Sequence, residues 1–194
     1  MDVLTEAQHR REVAGAILRQ LRLVERWSAF GRPVLVGAAS YDLMVAPDID
    51  LEIFCPGQPR IEDGFSVLTA CATEQGTTKA RFSNLLESPD EGLYWQLRHR
   101  HGGEEWKIDM WTLREDHPGP LSSSMVEPMN AALTTASRRT ILTLKHALAE
   151  VPEERCGSIH IYRAVIDDGV ETLDEFRAWR ADHDTESLTA WTPR

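Results

Sequence analysis

The chain has 194 residues, of which 42% are hydrophobic and 27% charged, and its formal net charge is −10. These proportions are typical of a soluble globular protein and argue against a disordered or membrane-spanning class. The acidic excess argues against broad electrostatic binding of DNA or RNA, because affinity for phosphate backbones comes mainly from Lys and Arg. The three cysteines lack the spacing of a zinc site or a disulfide framework, and we expect a cytoplasmic protein with no membrane segment.

The N-terminal segment is predicted to form one long helix. The residues from Thr5 to Gln8 fit a capping box, and apolar residues then recur at helical spacing as far as Trp27. Gly31 followed by Pro33 is typical of a helix end. The apolar side of this helix should pack on the sheet that follows.

The stretch from Val34 to Phe54 carries the first candidate site residues. An apolar strand stops at Gly37, where the missing β-carbon permits a sharp turn and the close approach of a ligand. Acidic and apolar residues then alternate over residues 48–53, which predicts a strand with one apolar face and one acidic face. The acidic face carries Asp48, Asp50 and Glu52. These carboxylates repel one another, and a bound divalent ion such as Mg²⁺ or Mn²⁺ would relieve the repulsion.

A second strand-like segment, from Trp106 to Trp111, contains one acid, Asp109. An unpaired Asp inside an apolar strand is disfavoured and costly to bury, so a neighbouring metal ion is a better environment for it. Lys107 lies on the same face as Asp109, and we interpret it as an ion-pair partner of the carboxylates in preference to a phosphate contact. The turn residues from His101 to Gly103 predict an antiparallel hairpin that ends in this segment.

These residues together resemble the DNA polymerase β-like nucleotidyltransferase superfamily, and in particular its small stand-alone members. Members place a Gly-Ser turn after a first strand, an Asp-x-Asp pair on the next strand and a third Asp on a later strand, around two metal ions. The resemblance covers residues 34–113 and implies that Asp48, Asp50 and Asp109 are the metal ligands and the catalytic residues. It also implies that Asp109 is a candidate base for an acceptor hydroxyl. Glu52, the remaining acid of the strand, either supports the metal ligands from behind or is a surface acid, and we favour the surface acid.

The phosphate-binding half of the motif departs from the superfamily pattern. Gly37 is followed by Ala38 where the superfamily has Ser, and the nearest hydroxyl belongs to Ser40. We expect main-chain N–H groups at the glycine turn to bind the nucleotide phosphates, with Ser40 as a further candidate. A basic residue on a later helix contacts the triphosphate in the superfamily, which makes Arg139 and Lys145 candidates by resemblance. Solvent-exposed charge is the simpler interpretation of both residues.

The order of segments predicts an α+β fold in which a mixed, largely antiparallel sheet is flanked by helices. We expect a nucleotidyltransferase-like core over residues 1–116 and a helical C-terminal segment over residues 117–194 packed on that core. Further helices are predicted over residues 61–75, over residues 124–150 with a capping box at Ser124, and in two shorter segments, the second capped at Thr172.

The leading hypothesis is a metal-dependent nucleotidyltransferase that moves a nucleoside monophosphate from a nucleoside triphosphate to an unidentified acceptor. The missing serine after Gly37 leaves a second hypothesis open, a catalytically inactive protein of the same fold that binds a nucleotide or a protein partner as an antitoxin-like module does. The acidic charge favours a small molecule or a protein over a long nucleic acid as the acceptor. The sequence indicates neither the nucleotide nor the oligomeric state.

Overall fold

The computed structural model describes residues 2–185 and 191–193; residues 186–190 and 194 of the predicted C-terminal segment lie outside this range. The described residues form seven α-helices and one five-stranded sheet, which confirms the predicted mixed α+β fold. The helices are α1 (Val3–Gln20), α2 (Leu23–Ser28), α3 (Ile61–Ala72), α4 (Val126–Ala132), α5 (Thr135–Ala149), α6 (Ser158–Ile166) and α7 (Leu173–Ala181). The strands are β1 (Arg32–Val36), β2 (Asp48–Cys55), β3 (Thr77–Leu85), β4 (Gly92–His101) and β5 (Glu104–Arg114).

The sheet brings β2 and β5 side by side although α3, β3 and β4 separate them in the sequence. The strand order is β1-β2-β5-β4-β3, with β2 and β5 parallel and the other pairs antiparallel. The parallel register sets Asp50 opposite Asp109 and Asp48 opposite Lys107. Residues that are opposite one another in neighbouring strands share a face of the sheet, so all four side chains project from the same side.

One face of the sheet packs against α1, α2 and α3 and forms the main apolar core. The predicted alternation in β2 is confirmed, because Ile49, Leu51 and Ile53 are each at most 1% exposed in this core. Their burial directs the acidic side chains of β2 to the opposite face. None of the helices in the described part of the chain is long and apolar enough to cross a bilayer.

A second apolar core joins the C-terminal helices to the start of α1 and to the segment between β1 and β2. It contains side chains of α4 to α7 together with Ala7, Tyr41 and Leu43. Because Tyr41 and Leu43 lie between the glycine turn and β2, this core places α5 and α6 beside the acidic face of the sheet.

The N-terminal helix differs from its prediction at both ends. It begins at Val3, so Thr5 lies inside the helix and the predicted capping box there is wrong. Arg22 adopts a left-handed conformation with φ of 49° and separates α1 from α2, where one continuous helix was predicted. The break lets Trp27 of α2 turn into the core, where it is fully buried.

The helix predicted over residues 124–150 is in fact two helices. Ser124 lies within a one-turn 3₁₀ helix and makes no cap, so the capping box predicted there is wrong. The chain is extended at Leu133, and Thr134 starts α5 through a capping box with Ser137. The capping box predicted at Thr172 is confirmed by its hydrogen bond with the backbone N–H of Glu175.

Candidate active site

The site begins at the turn that follows β1. Gly37 has a φ of +66°, a conformation that residues with a β-carbon rarely adopt. A β-carbon added at Gly37 would also lie 2.6 Å from Oδ2 of Asp50. Both the backbone conformation and the adjacent carboxylate therefore require glycine here, and the turn brings the main chain directly against the acidic face of β2.

Three carboxylates meet beside this turn. One oxygen each of Asp48, Asp50 and Asp109 lies within 4.8 Å of the others, on the neighbouring parallel strands β2 and β5. Clustered carboxylate oxygens are the ligands that Mg²⁺ and Mn²⁺ prefer in proteins. The structure thus brings together the three acids that the sequence singled out.

Two of these acids have oxygen atoms without a partner. Oδ1 of Asp48 is buried and accepts no hydrogen bond from any of the described residues. Burial, together with the charges of Asp48 and Asp109, raises the pKa of Asp50 to about 7, and Asp50 accepts no hydrogen bond within residues 2–185 and 191–193. An ionised carboxylate oxygen that is shielded from water and has no hydrogen-bond donor destabilises the folded protein, and a bound cation would remove this destabilisation. The donor set therefore fits a divalent ion.

Lys107 lies between the other carboxylate oxygens. Its Nζ is 3.0 Å from Oδ2 of Asp48 and 2.9 Å from Oδ2 of Asp109. Although burial opposes the change, hydrogen bonds to Asp109 and Asp48 raise the pKa of Lys107 above its ordinary value. Burial raises the pKa of Asp48 even though Lys107 acts in the opposite direction. The predicted ion pair is confirmed.

Two residues of β4 that the sequence analysis missed hold Asp109 from its other side. The Tyr94 hydroxyl donates to Oδ1 of Asp109 at 2.7 Å, and Nε2 of Gln96 donates to the same oxygen at 3.0 Å. Nε2 of Gln96 also donates to the Tyr94 hydroxyl oxygen at 2.7 Å. Burial and the neighbouring Asp109 raise the pKa of Tyr94 to about 12, so the phenol stays protonated and remains a donor.

Two cavities adjoin at Asp50. The first has a volume of about 330 Å³ and is lined by Gly37, Ala38, Tyr41, Asp48, Lys145 and Tyr162, among others. The second has a volume of about 520 Å³ and is lined by Glu52, Pro89, Trp111, His117 and Pro120, among others. Gly37, Asp50 and Ser122 line both cavities. The carboxylate of Asp50 is therefore accessible from two sides.

Lys145 belongs to the site and is not a solvent-exposed charge, so the simpler interpretation given above is wrong for this residue. Its side chain is buried, and Nζ donates to the carbonyl oxygen of Leu43 at 2.7 Å and to the Tyr162 hydroxyl at 3.4 Å. Burial lowers the pKa of Lys145 to about 8, and the charges of Asp48 and Asp50 oppose this shift. The structure places the ammonium group at the wall of the first cavity.

Two other candidate residues do not reach the cavity. Arg139 is half exposed and forms an ion pair with Asp2, which precedes α1. The Ser40 hydroxyl donates to the carbonyl oxygen of Gly37 at 2.7 Å, within its own helical turn. Ser40 therefore stabilises the turn, while the adjacent Ala38 lines the first cavity.

Glu52 is buried, and its interpretation as a surface acid is wrong. Only 6% of the residue is exposed, and its carboxylate accepts hydrogen bonds from the backbone N–H groups of Ser122 at 2.7 Å and Ser123 at 2.9 Å. These N–H groups begin the 3₁₀ helix Ser122–Met125, whose first donors have no partner inside the helix. Glu52 thereby anchors the segment that leads to α4, and places Ser122 between the two cavities.

The comparisons with known proteins concern the fold. No protein-family model matches the sequence, and no curated protein matches it. The structure of Cid1 in complex with its short product ApU is 14% identical with a TM-score of 0.58, over 81% of this chain and 48% of that one. A cytoplasmic RNA terminal U-transferase is 14% identical with a TM-score of 0.57, over 80% of this chain and 46% of that one.

A third solved structure, E. coli MS115-1 CdnC with ATP, is 15% identical with a TM-score of 0.52, over 92% of this chain and 67% of that one. The chain spans about half the length of the first two structures. The mixed sheet flanked by helices is consistent with a nucleotidyltransferase-type fold, which the sequence motif predicted, and the chain shares its fold with these solved structures.

Proposed function

We propose that the protein is a metal-dependent nucleotidyltransferase that transfers a nucleoside monophosphate from a nucleoside triphosphate to an acceptor hydroxyl. The observation that carries this proposal is the carboxylate of Asp50, which is unpaired among the described residues and lies between two cavities beside the glycine turn. Asp48 and Asp109 complete a set of oxygen ligands for Mg²⁺ or Mn²⁺.

The first cavity is the proposed nucleotide site. Its wall combines the main chain at Gly37 and Ala38 with the ammonium group of Lys145, and both are suited to phosphate oxygens. Tyr41 and Tyr162 add aromatic surface to the same cavity. Two proteins of this fold were solved with nucleotides, Cid1 with its short product ApU and CdnC with ATP, which supports a nucleotide as the ligand here.

In the proposed reaction, the oxygen of the acceptor hydroxyl attacks the α-phosphorus. The bond from that phosphorus to the oxygen bridging the α- and β-phosphates breaks, and pyrophosphate leaves with the bonding electrons. By the superfamily resemblance, Asp109 takes the proton of the hydroxyl. Divalent ions held by the carboxylates would neutralise the charge that develops on the transferring phosphate. Lys145 and the glycine turn orient the triphosphate on the nucleotide side of Asp50.

The second cavity is the proposed entry for the acceptor. It adjoins the first cavity at Asp50 and is lined by both apolar and polar groups, including Trp111 and His117. Its volume of about 520 Å³ lies within the range of small-molecule sites. The acceptor is therefore either a small molecule or a side chain of a partner protein that enters this cavity.

Isothermal titration calorimetry tests the proposal with non-hydrolysable analogues of the four common nucleoside triphosphates and Mn²⁺. At least one analogue should bind, binding should be lost when the metal is chelated, and Asp50→Asn should abolish it. Glu87→Gln, a change at an exposed acid on the loop after β3, should bind as the wild type does. The absence of binding at millimolar concentrations of all four analogues would contradict the proposal. Binding without any release of pyrophosphate from the natural nucleotides would favour the inactive relative.

A further inference from the structure

Lys107 gives this site a cation of its own. We propose that the ammonium group of Lys107 takes the place of one of the two divalent ions of the polymerase β-like arrangement. The site would then bind a single divalent ion, through Asp48 and Asp50. This inference rests on the proposed function and changes its ligand set: Asp109, a metal ligand in that proposal, is instead paired with Lys107.

The hydrogen bonds of Asp109 support this assignment. Oδ1 of Asp109 already accepts from the Tyr94 hydroxyl and from Nε2 of Gln96, and its Oδ2 lies 2.9 Å from Nζ of Lys107. Each of its oxygens therefore has a donor of this chain. A metal ion that used Oδ2 of Asp109 would have to displace the ammonium group that now contacts it.

The oxygens available to a metal ion belong to the other two acids. Lys107 contacts only Oδ2 of Asp48, and Oδ1 of Asp48 accepts nothing from residues 2–185 or 191–193. Asp50 has no hydrogen-bonding partner in the same described ranges. Both residues line the first cavity, whereas Lys107 and Asp109 do not. The carboxylate oxygens that have no hydrogen-bond donor among the described residues thus belong to residues that line the proposed nucleotide site.

The net charge of the site side chains is consistent with one bound divalent ion. Three ionised carboxylates carry a charge of −3, which one divalent ion and one ammonium group neutralise. Two divalent ions beside Lys107 would raise the positive charge to +5 before a nucleotide binds. Because these side chains are partly buried, water would screen the repulsion between the added ion and the ammonium group only in part.

The backbone holds Lys107 in this position. Its neighbours Trp106 and Ile108 are at most 1% exposed in the main core, and its own N–H donates to the carbonyl oxygen of Pro47 at 2.9 Å. The residue lies on β5, which is paired on both sides by β2 and β4. Lys107 therefore cannot leave the acids by a movement of its strand, and only rotation of its side chain would free Asp109.

Native mass spectrometry counts the metal ions directly. Complexes of the protein with Mn²⁺ and the non-hydrolysable nucleotide analogue that binds best are compared for the wild type, Lys107→Met and Lys107→Arg. Lys79→Met, at an exposed lysine of β3, is the matched control. We expect one Mn²⁺ per complex for the wild type, for Lys107→Arg and for the control, and two for Lys107→Met.

The possible outcomes separate this inference from the proposed function. Two ions in the wild-type complex would overturn the inference and leave the nucleotidyltransferase proposal intact. One ion in the Lys107→Met complex would also overturn it, because removal of the ammonium group would then not open a second metal site. No bound Mn²⁺ in any complex would instead contradict the proposed function itself. Circular dichroism checks that Lys107→Met is folded, and if it is not, the wild-type count decides alone.

Discussion

Replacement of Asp50 by asparagine should stabilise the metal-free protein at neutral and alkaline pH. Asp50 is half-buried beside two further acids and has no compensating hydrogen bond from the described residues. Its pKa is raised from an ordinary value of 3.8 to about 7 in the folded chain. The folded protein therefore binds the proton of this carboxyl more tightly than the unfolded chain does, and ionisation of Asp50 favours unfolding.

The size of the effect follows from the same shift. One pKa unit corresponds to about 1.4 kcal/mol, so the rise from 3.8 to about 7 places a cost of about 4 kcal/mol on the ionised folded state. The buried amide of asparagine has its own cost of about 1–3 kcal/mol when it lacks a partner. We expect a net gain of about 2 kcal/mol for Asp50→Asn at pH 8. For a chain of this length, that corresponds to an increase of about 4–8 °C in Tm.

The pH dependence distinguishes this mechanism from a general effect on packing. The stability of the wild type should fall as the pH rises from about 4 to about 7, because over this interval the unfolded chain has lost the proton of Asp50 while the folded chain still holds it. The stability of Asp50→Asn should not fall in this way. The difference in the free energy of unfolding between the variant and the wild type should therefore increase from pH 4 to pH 7 and then stay constant. Near pH 4 the carboxyl of Asp50 is protonated in the folded chain, so only the cost of the amide remains and the variant should be less stable than the wild type by about 2 kcal/mol.

Thermal denaturation by circular dichroism in a buffer with a chelator measures these differences between pH 4 and pH 8. Glu87→Gln removes an equal charge at an exposed position and should change Tm by less than about 2 °C. Addition of Mg²⁺ at pH 8 should stabilise the wild type and leave Asp50→Asn unchanged. An equal gain at pH 4 and pH 8, or no gain at pH 8, would refute the electrostatic reasoning.

Three further changes test other parts of the site. Glu52→Ala removes the acceptor for two backbone N–H groups and should lower the free energy of unfolding by about 3 kcal/mol in urea denaturation, with a smaller loss for Glu52→Gln. Gly37→Ala should cost about 1–2 kcal/mol for its positive φ and, through the contact with Asp50, should weaken Mn²⁺ binding in calorimetry. Lys145→Gln should weaken binding of the nucleotide analogue about tenfold, whereas Arg139→Gln should leave it unchanged in the same titration.

The residues that donate hydrogen bonds to Asp109 could have been predicted from the sequence. The two-residue Gly-Gly turn pairs His101 with Glu104, and counting back along the antiparallel hairpin places Gln96 opposite Asp109. Alternation then puts Tyr94 on the same face as Gln96. The hairpin and its turn were both predicted, so the missing step was only the pairing of its residues.

The pairing of β2 with β5 could not be predicted from the sequence in the same way. Its two strands are parallel and are joined through α3, β3 and β4, so no turn fixes their register. A slip by one residue would move Asp109 to the core face, opposite the acids of β2. The convergence of the three carboxylates was therefore inferred from a resemblance, and only the structure supplies the distances between them.

Burial of the charged residues was the least predictable feature. Glu52 is bound by backbone N–H groups 70 residues further along the chain, and such donors leave no pattern in the sequence. Lys145 lies off the apolar side of α5, yet its ammonium group reaches the carbonyl oxygen of Leu43 because the second core brings α5 against that segment. Periodicity identifies the apolar side of a helix and gives no information about the contacts of its charged residues.

The alanine after Gly37 changes how the site can bind phosphate without removing that capacity. The first N–H groups of a helical turn have no partner inside the turn, and the chain keeps these donors whatever side chain Ala38 carries. Lys145 adds a positive charge at the same cavity, and in the proposed nucleotide site its ammonium group would take the place of the missing hydroxyl. Because this lysine has a pKa of about 8, its charge is partly lost above that pH. The ionisation of Asp50 near pH 7 is common to the wild type and to Lys145→Gln, so the comparison isolates the lysine. A nucleotide affinity that declines more between pH 7 and pH 9 in the wild type than in Lys145→Gln would show that the lysine has taken over the role of the serine.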